Sequence, residues 1–189
     1  DNISADSKLT GLLVDGKSVS EANPGAEIEI TLDRTPFYAE GGGQLADGGT
    51  IKLASGAVIQ IDDVQTPLPG LIVHRGTVLS GVVKNGSAAI ADIDLERRLA
   101  ISRAHTATHM VHKAFREALG ETATQAGSEN APGRFRFDFP STSAVPVSVL
   151  NDVESKGVKT YSVDSSTDIG LRVTGLGGIV SLLRYAIEF

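Results

Sequence analysis

One stretch constrains this chain more than any other: Asp94 to Gly120, DLERRLAISRAHTATHMVHKAFREALG. It contains no proline and no internal glycine. Asp94 is a suitable N-cap and Gly120 a suitable stop, so the pattern predicts one long α-helix. His105 and His109 are four residues apart, roughly 6 Å of rise, and share one face with His112. Leu99, Ala107, Met110, Ala114 and Ala118 form an apolar stripe expected to point nearly the other way. Three of the four histidines thus lie on one helix face. Two imidazoles from adjacent turns can chelate one divalent metal. The competing reading is a solvated polar face that happens to be rich in histidine. No Glu follows His105 directly, so the usual zinc-protease pattern is absent.

The residues before this helix read as β. Leu12–Val14 and Ser18–Val19 flank a hairpin signal at Asp15-Gly16, and Glu27–Leu32 alternates apolar with polar. From Thr50 to Ala91 short strands are expected at Ile51–Leu53, Val58–Ile61, Leu71–Val73, Thr77–Leu79, Val82–Val83 and Ala88–Ala91. The separators are Ser55-Gly56, Pro67–Gly70, Arg75-Gly76, Gly81 and Asn85-Gly86. This spacing predicts a small barrel or sandwich over roughly 10–92. His74, at a strand end, reads as structural or solvated.

After the helix a loop is expected over Thr122–Pro132. Arg134–Phe139 then alternates, with Phe135, Phe137 and Phe139 toward a core and Arg134, Arg136 and Asp138 outward. The outward arginines suit either phosphate contacts or a solvated Arg–Asp pair. A short helix over Val147–Lys156 and strands at Tyr161–Val163, Leu171–Val173 and Arg184–Phe189 complete the expectation. The fold class is α+β: a β-barrel-like subdomain at 1–92, then an α+β sandwich domain at 93–189 built on the one long histidine-bearing helix.

Composition narrows the partners. A net charge of −6 argues against a broadly basic nucleic-acid surface, so a polyanion must be met by a local patch. The cluster Arg97, Arg98, Arg103, Arg134 and Arg136 is the candidate. There is no cysteine, which excludes disulfides and thiolate ligands and fits a cytoplasmic location. No apolar run of about 18 residues suggests a membrane span. A first residue of Asp rather than Met is expected of a piece of a longer protein.

One further stretch stands out: Thr35-Pro-Phe-Tyr-Ala-Glu-Gly-Gly-Gly-Gln44. Gly41–Gly43 lets backbone N–H groups approach a ligand, and Gln44 supplies donors and an acceptor. A simple flexible turn is the plainer alternative. No Gly-Lys-Ser/Thr follows, so it is not a phosphate loop.

Taken together, this stretch and His105-Thr-Ala-Thr-His109 resemble the editing domain of alanyl-tRNA synthetases and the related free-standing trans-editing proteins. Similar too are Gly70-Leu-Ile-Val-His-Arg-Gly76, Arg98-Leu-Ala-Ile-Ser-Arg-Ala104, Gly127-Ser-Glu-Asn-Ala-Pro-Gly-Arg134 and Arg136-Phe-Asp-Phe139. The resemblance covers about 10–155. It implies a small β-barrel followed by an α+β domain, and hydrolysis of Ser or Gly wrongly esterified to tRNA(Ala), at the acceptor end, with zinc assistance. It makes His105 and His109 metal ligands. Gln44, Gly42 and Gly43 become the catalytic pocket, and Thr35, Gln44 and Arg134 the substrate-binding residues. The rest of a full-length synthetase becomes a partner.

The chain departs from the family at one place. The family's zinc takes two more ligands from a later Cys-Gly-Gly-Thr-His segment, and this chain has no Cys-x-x-x-His after residue 140. Tyr161–Gly170 resembles the family's sequence on either side of that motif with the motif removed. Water, His112, Asp152, Glu154, Asp164 or Asp168 would have to complete a tetrahedron. A weak or empty zinc site is therefore expected. Two functions follow: a zinc-assisted aminoacyl-ester hydrolase, or a metal-depleted, non-catalytic editing-like module that binds tRNA or a partner.

Overall fold

The computed structural model describes residues 2–121, 123–141, 144–161, 170–174 and 178–185, with side chains as far as residue 155. The described residues are mostly β, with two helices, compatible with an α+β class. They divide into two compact units: 1–41 with 46–98, and 42–45 with 99–189. No described helix is long and apolar enough to cross a membrane.

The first unit is built from β1 (Ser4–Val14), β2 (Lys17–Ser18), β3 (Glu21–Ala22), β4 (Glu27–Leu32), β5 (Gly49–Leu53), β6 (Val58–Leu68), β7 (Leu71–Ser80), β8 (Val83–Lys84) and β9 (Ala88–Ile93). Six of these run antiparallel in the order β1-β4-β7-β6-β5-β9, and β9 pairs back with β1 to close a barrel. β2 adds to β1 at the Asp15-Gly16 turn, and β3 pairs with β8. Closure leaves few exposed edges, which suits short strands separated by tight turns. The inward residues include Leu9, Leu12, Ile28, Ile30, Ile51, Ile59, Ile61, Val64 and Val78, all nearly fully buried.

Two strands are longer than their sequence suggests. β1 begins at Ser4, although Ser4–Lys8 has no apolar alternation. Its inward position there is Ser7, buried and donating to the Arg34 carbonyl at 2.9 Å, so a hydrogen bond stands where a pattern reader looks for a hydrophobe. β7 is a single strand through Arg75-Gly76, which reads as a separator. Gly76 is there for space: a Cβ would land on the Gln60 carbonyl oxygen of β6, where the ladder shifts register.

In the second unit α1 (Leu95–Leu119) runs almost as expected, its first four residues belonging to the first unit. The Asp94 carboxylate accepts the Arg97 N–H at 3.0 Å, and Gly120 takes a positive φ of 87° as the helix ends. The buried stripe is not the expected one. It comprises Ile101, Ala104, Ala107, Thr108, Val111, Ala114 and Phe115, while Leu99 and Ala118 are exposed. At about 100° per residue this stripe lies beside the histidine face rather than opposite it. The polar Thr108 at its centre hid it.

β10 (Gly127–Ala131) and β11 (Arg134–Ser141) form a hairpin over Pro132-Gly133, so a strand stands where a loop is expected. Gly-Ser-Glu-Asn has turn composition and no alternation, and only pairing with the Phe-rich strand makes it extended. Phe135, Phe137 and Phe139 are buried as predicted, each worth about 1.5–3 kcal/mol. Phe115 of α1 stacks on Phe137 and Phe139, with centroids 6.4 and 4.9 Å apart.

α2 (Val147–Tyr161) is longer than expected and takes in Tyr161, where the sequence predicts the start of a strand. β12 (Gly170–Thr174) contains the expected Leu171–Val173, and β13 (Gly178–Tyr185) overlaps the last expected strand at Arg184-Tyr185. The sheet order is β10-β11-β13-β12, all antiparallel. Residues 162–163 and 186–189 of the expected strands, with Asp164 and Asp168, lie outside the described residues.

Candidate functional site

The second unit brings the Gly42–Gln44 end of the glycine-rich motif to the histidines of α1. Gln44 forms a parallel bridge with Asn130 of β10: the Asn130 N–H donates to the Gly43 carbonyl at 2.6 Å, and the Leu45 N–H to the Asn130 carbonyl at 3.1 Å. Gly43 has φ +79°, and a Cβ there would land on the Ser128 hydroxyl and lie 2.7 Å from its carbonyl oxygen. Only glycine permits that approach. Among the described residues neither Gly42 nor Gly43 donates its N–H to another residue.

So held, the Gln44 Oε1 lies 3.0 Å from His105 Nδ1 of α1. A carboxamide oxygen only accepts, so Nδ1 carries a ring proton, and in the neutral imidazole Nε2 then keeps its lone pair. His105 is half-buried, and its ring stacks on that of exposed His109 with centroids 4.9 Å apart at 25°. One turn along, the buried Thr108 hydroxyl donates to Asn130 Oδ1 at 2.5 Å, tying α1 to β10. Asn130 Nδ2 is buried with no partner. Neither Thr108 nor Asn130 stood out in the sequence, and nothing in their spacing announces them.

The same unit holds the expected metal pair, His105 and His109. Among the described residues no three His, Asp or Glu side chains converge as a metal-binding group. His112 turns to Phe137, centroids 5.1 Å apart, and its Nε2 is buried without a partner. Among the described residues the donor set is therefore two imidazoles, short of the three or four that zinc takes. By themselves these described residues do not complete a zinc site. A cavity of about 510 Å3 lies farther along α1, lined by His109, His112, Lys113, Arg116, Glu117 and Glu121.

Thr35 belongs to the first unit. Its hydroxyl is 2.8 Å from His74 Nε2 and accepts the Phe37 N–H at 3.1 Å. His74 is fully buried and sits edge-on to Phe37 at 5.4 Å. Burial pushes its pKa down to about 4, against the raising effect of its hydrogen bond to the Ile30 carbonyl. The next residues are pinned by Asp47, which is 1% exposed. Its carboxylate accepts the Tyr38 N–H at 2.7 Å and pairs with Arg98. The sequence reading missed Asp47.

The arginine cluster is mostly engaged. Arg98 also donates to the Pro36 carbonyl at 2.7 Å, and Arg97 to that of Ala46. Arg134 pairs with Glu129 at 2.8 Å, and Arg136 with Glu129 and Asp138. Arg97 and Arg98 thus anchor the first unit rather than offer free charge. Arg134, about half-exposed, has a carboxylate competing for it.

Residues 1–97 match the family model described as tRNA synthetases class II (A). Over 156 residues the chain is 64% identical to an alanine–tRNA ligase of a Nocardioides species, and over 153 residues 63% identical to that of Acidothermus cellulolyticus. These alignments cover 82% and 81% of the chain but 17% of each relative. A Thermobifida fusca alanine–tRNA ligase is 43% identical over 179 residues, covering 91% of the chain and 20% of the relative. The chain spans about a sixth of the length of the first two.

Proposed function

The chain belongs to the tRNA synthetases class II (A) family, as an alanyl-tRNA synthetase domain, and on that premise we propose that it is an editing module. Its reaction is hydrolysis of the ester in tRNA(Ala) mischarged with Ser or Gly. The observation that carries this reading is the Gln44–His105 hydrogen bond, which joins two motifs 61 residues apart within one unit.

The chemistry follows from what those groups present. Water adds to the ester carbonyl carbon, and the bond to the ribose oxygen breaks. The amino acid and a ribose hydroxyl leave, the water's proton passing to that oxygen. Gln44 holds His105 in the tautomer whose Nε2 accepts a hydrogen bond from the attacking water. The free N–H groups of Gly42 and Gly43 stabilise the charge that develops on the carbonyl oxygen. Thr35 reads the serine hydroxyl, and Arg134 meets a phosphate at the acceptor end once Glu129 releases it. No step runs through zinc. Zinc enters this proposal only as an ion that His105 and His109 would hold weakly. The α+β sandwich around α1, a cytoplasmic location and the rest of a full-length synthetase as partner belong to the same reading.

The test is deacylation of Ser-, Gly- and Ala-tRNA(Ala) by the purified chain. Hydrolysis of the first two and not the third is expected, with loss of about 100-fold in His105→Ala if water is oriented as described. No hydrolysis of any ester would defeat this reading. The two-imidazole donor set favours a second one, a non-catalytic module that binds tRNA. Binding of tRNA(Ala) without turnover would establish it.

A further inference from the structure

His74 is the one histidine outside α1, and both of its ring nitrogens are engaged. Nδ1 lies 3.3 Å from the Ile30 carbonyl oxygen, and Nε2 2.8 Å from the Thr35 hydroxyl. A carbonyl only accepts, so Nδ1 carries the proton. The ring is buried and neutral at pH 7, which leaves Nε2 a bare lone pair. The Thr35 hydroxyl must therefore donate its only proton to Nε2. One of its lone pairs already takes the Phe37 N–H. What remains of the half-buried hydroxyl is a single lone pair, facing nothing among the described residues.

We propose that His74 is a specificity-determining positioning residue: by taking up the proton of Thr35, it turns that hydroxyl into a pure acceptor, so that an aminoacyl side chain is recognised only if it brings a donor. This rests on the editing reading for the role of Thr35. Serine brings an O–H and fills the lone pair. Alanine presents a methyl group and leaves a desolvated acceptor unpaired, a penalty that works against hydrolysis of the correct product. Glycine has no side chain there and leaves room for a water to pair the lone pair, so it escapes the penalty. A threonine free to rotate would both donate and accept, and would discriminate less. The edge-on Phe37 ring and the pairing of His74 opposite Ile30 hold the imidazole in place.

The test has two parts on the full chain. Long-range nitrogen–proton NMR of the imidazole reads the tautomer directly at pH 7. A His74 proton on Nδ1 is expected, and a proton on Nε2 overturns the proposal whatever the kinetics show. Deacylation of Ser- and Gly-tRNA(Ala) is then compared in wild type, His74→Phe and His74→Gln, with folding checked by circular dichroism. Phe keeps the shape and removes the acceptor, so the Ser/Gly ratio of kcat/KM should fall about tenfold, the scale of one hydrogen bond. Gln carries a carbonyl oxygen near the Nε2 position and should restore most of the ratio. A folded Phe variant with an unchanged ratio overturns the proposal. So does a Gln variant as poor as Phe, and if Phe fails to fold, Gln and the NMR measurement decide. Wild type that cleaves neither ester defeats the editing reading instead, and the tautomer is then judged by NMR alone.

Discussion

The two units treat buried polar groups in opposite ways. In the barrel they are paired off: Asp47 with Arg98 and the Tyr38 N–H, and His74 with Thr35 and Ile30. In the second unit three buried polar atoms have no partner: Asn130 Nδ2, His112 Nε2 and Asp138 Oδ1. Among the described residues, all the buried side-chain nitrogen and oxygen atoms without a partner lie there, and none in the barrel. A satisfied network fixes one conformation, whereas an unsatisfied one carries a cost that a ligand or a rearrangement can relieve. The barrel is thus built as a rigid frame for Thr35, and the second unit holds Gln44 and His105 in a less settled setting.

The strongest way to break this contrast is Asp47→Ala. It would strand the Arg98 guanidinium, only 22% exposed, with the Pro36 carbonyl as its remaining partner. A loss of about 3–5 kcal/mol is expected in urea denaturation. A loss below about 1 kcal/mol would mean that the barrel's pairing contributes little. Next in size is a pH effect from His74. Its folded pKa of about 4 is below the unfolded value of 6.5. Between those values the unfolded chain binds a proton that the folded chain refuses, so stability falls as pH drops from about 6.5 toward about 4. The contribution is full above about 6.5 and amounts to about 3 kcal/mol. Urea melts at pH 7 and pH 4.5, for wild type and His74→Phe, isolate it: the wild type should lose more. Equal losses would show that His74 is not neutral in the fold.

Thr108→Val should cost less, about 1–2 kcal/mol, because it leaves Asn130 Oδ1 as a further unpaired atom in a unit that already tolerates some. A cost as large as that of Asp47→Ala would erase the distinction between the units. Smallest is the response to metal. Elemental analysis after mild chelation should find substoichiometric zinc in wild type and none in His105→Ala, with little change in melting temperature. One tightly held zinc per chain would mean that the second unit's donors are completed and its unsettled character is an illusion.

Much of the frame was legible. Asp94 and Gly120 bound the helix because capping is local chemistry, and Phe135, Phe137 and Phe139 announced their strand by strict alternation. Gln44 and His105 were legible through motif resemblance. What stayed hidden depended on distant partners. Ser4–Lys8 becomes a strand because β9 pairs with it. Gly127–Ala131 does so because β11 pairs with it. Asp47 and Arg98 are 51 residues apart, and no periodicity links a buried carboxylate to its cation. The buried stripe of α1 was misplaced because Thr108 is polar, yet its hydroxyl is tied inward to Asn130.

The membership of Gly42–Leu45 in the second unit has a consequence for dissection. The chain passes between units three times, at 41/42, 45/46 and 98/99. A single cut therefore cannot release either unit whole. A fragment ending at Arg98 would carry four residues that belong elsewhere, and one starting at Leu99 would lack Gln44, and with it the group that sets the His105 tautomer. Genetic exchange that swaps one unit for a relative's must carry this four-residue insertion along with it, or it will join a helix to a glutamine it was never matched with.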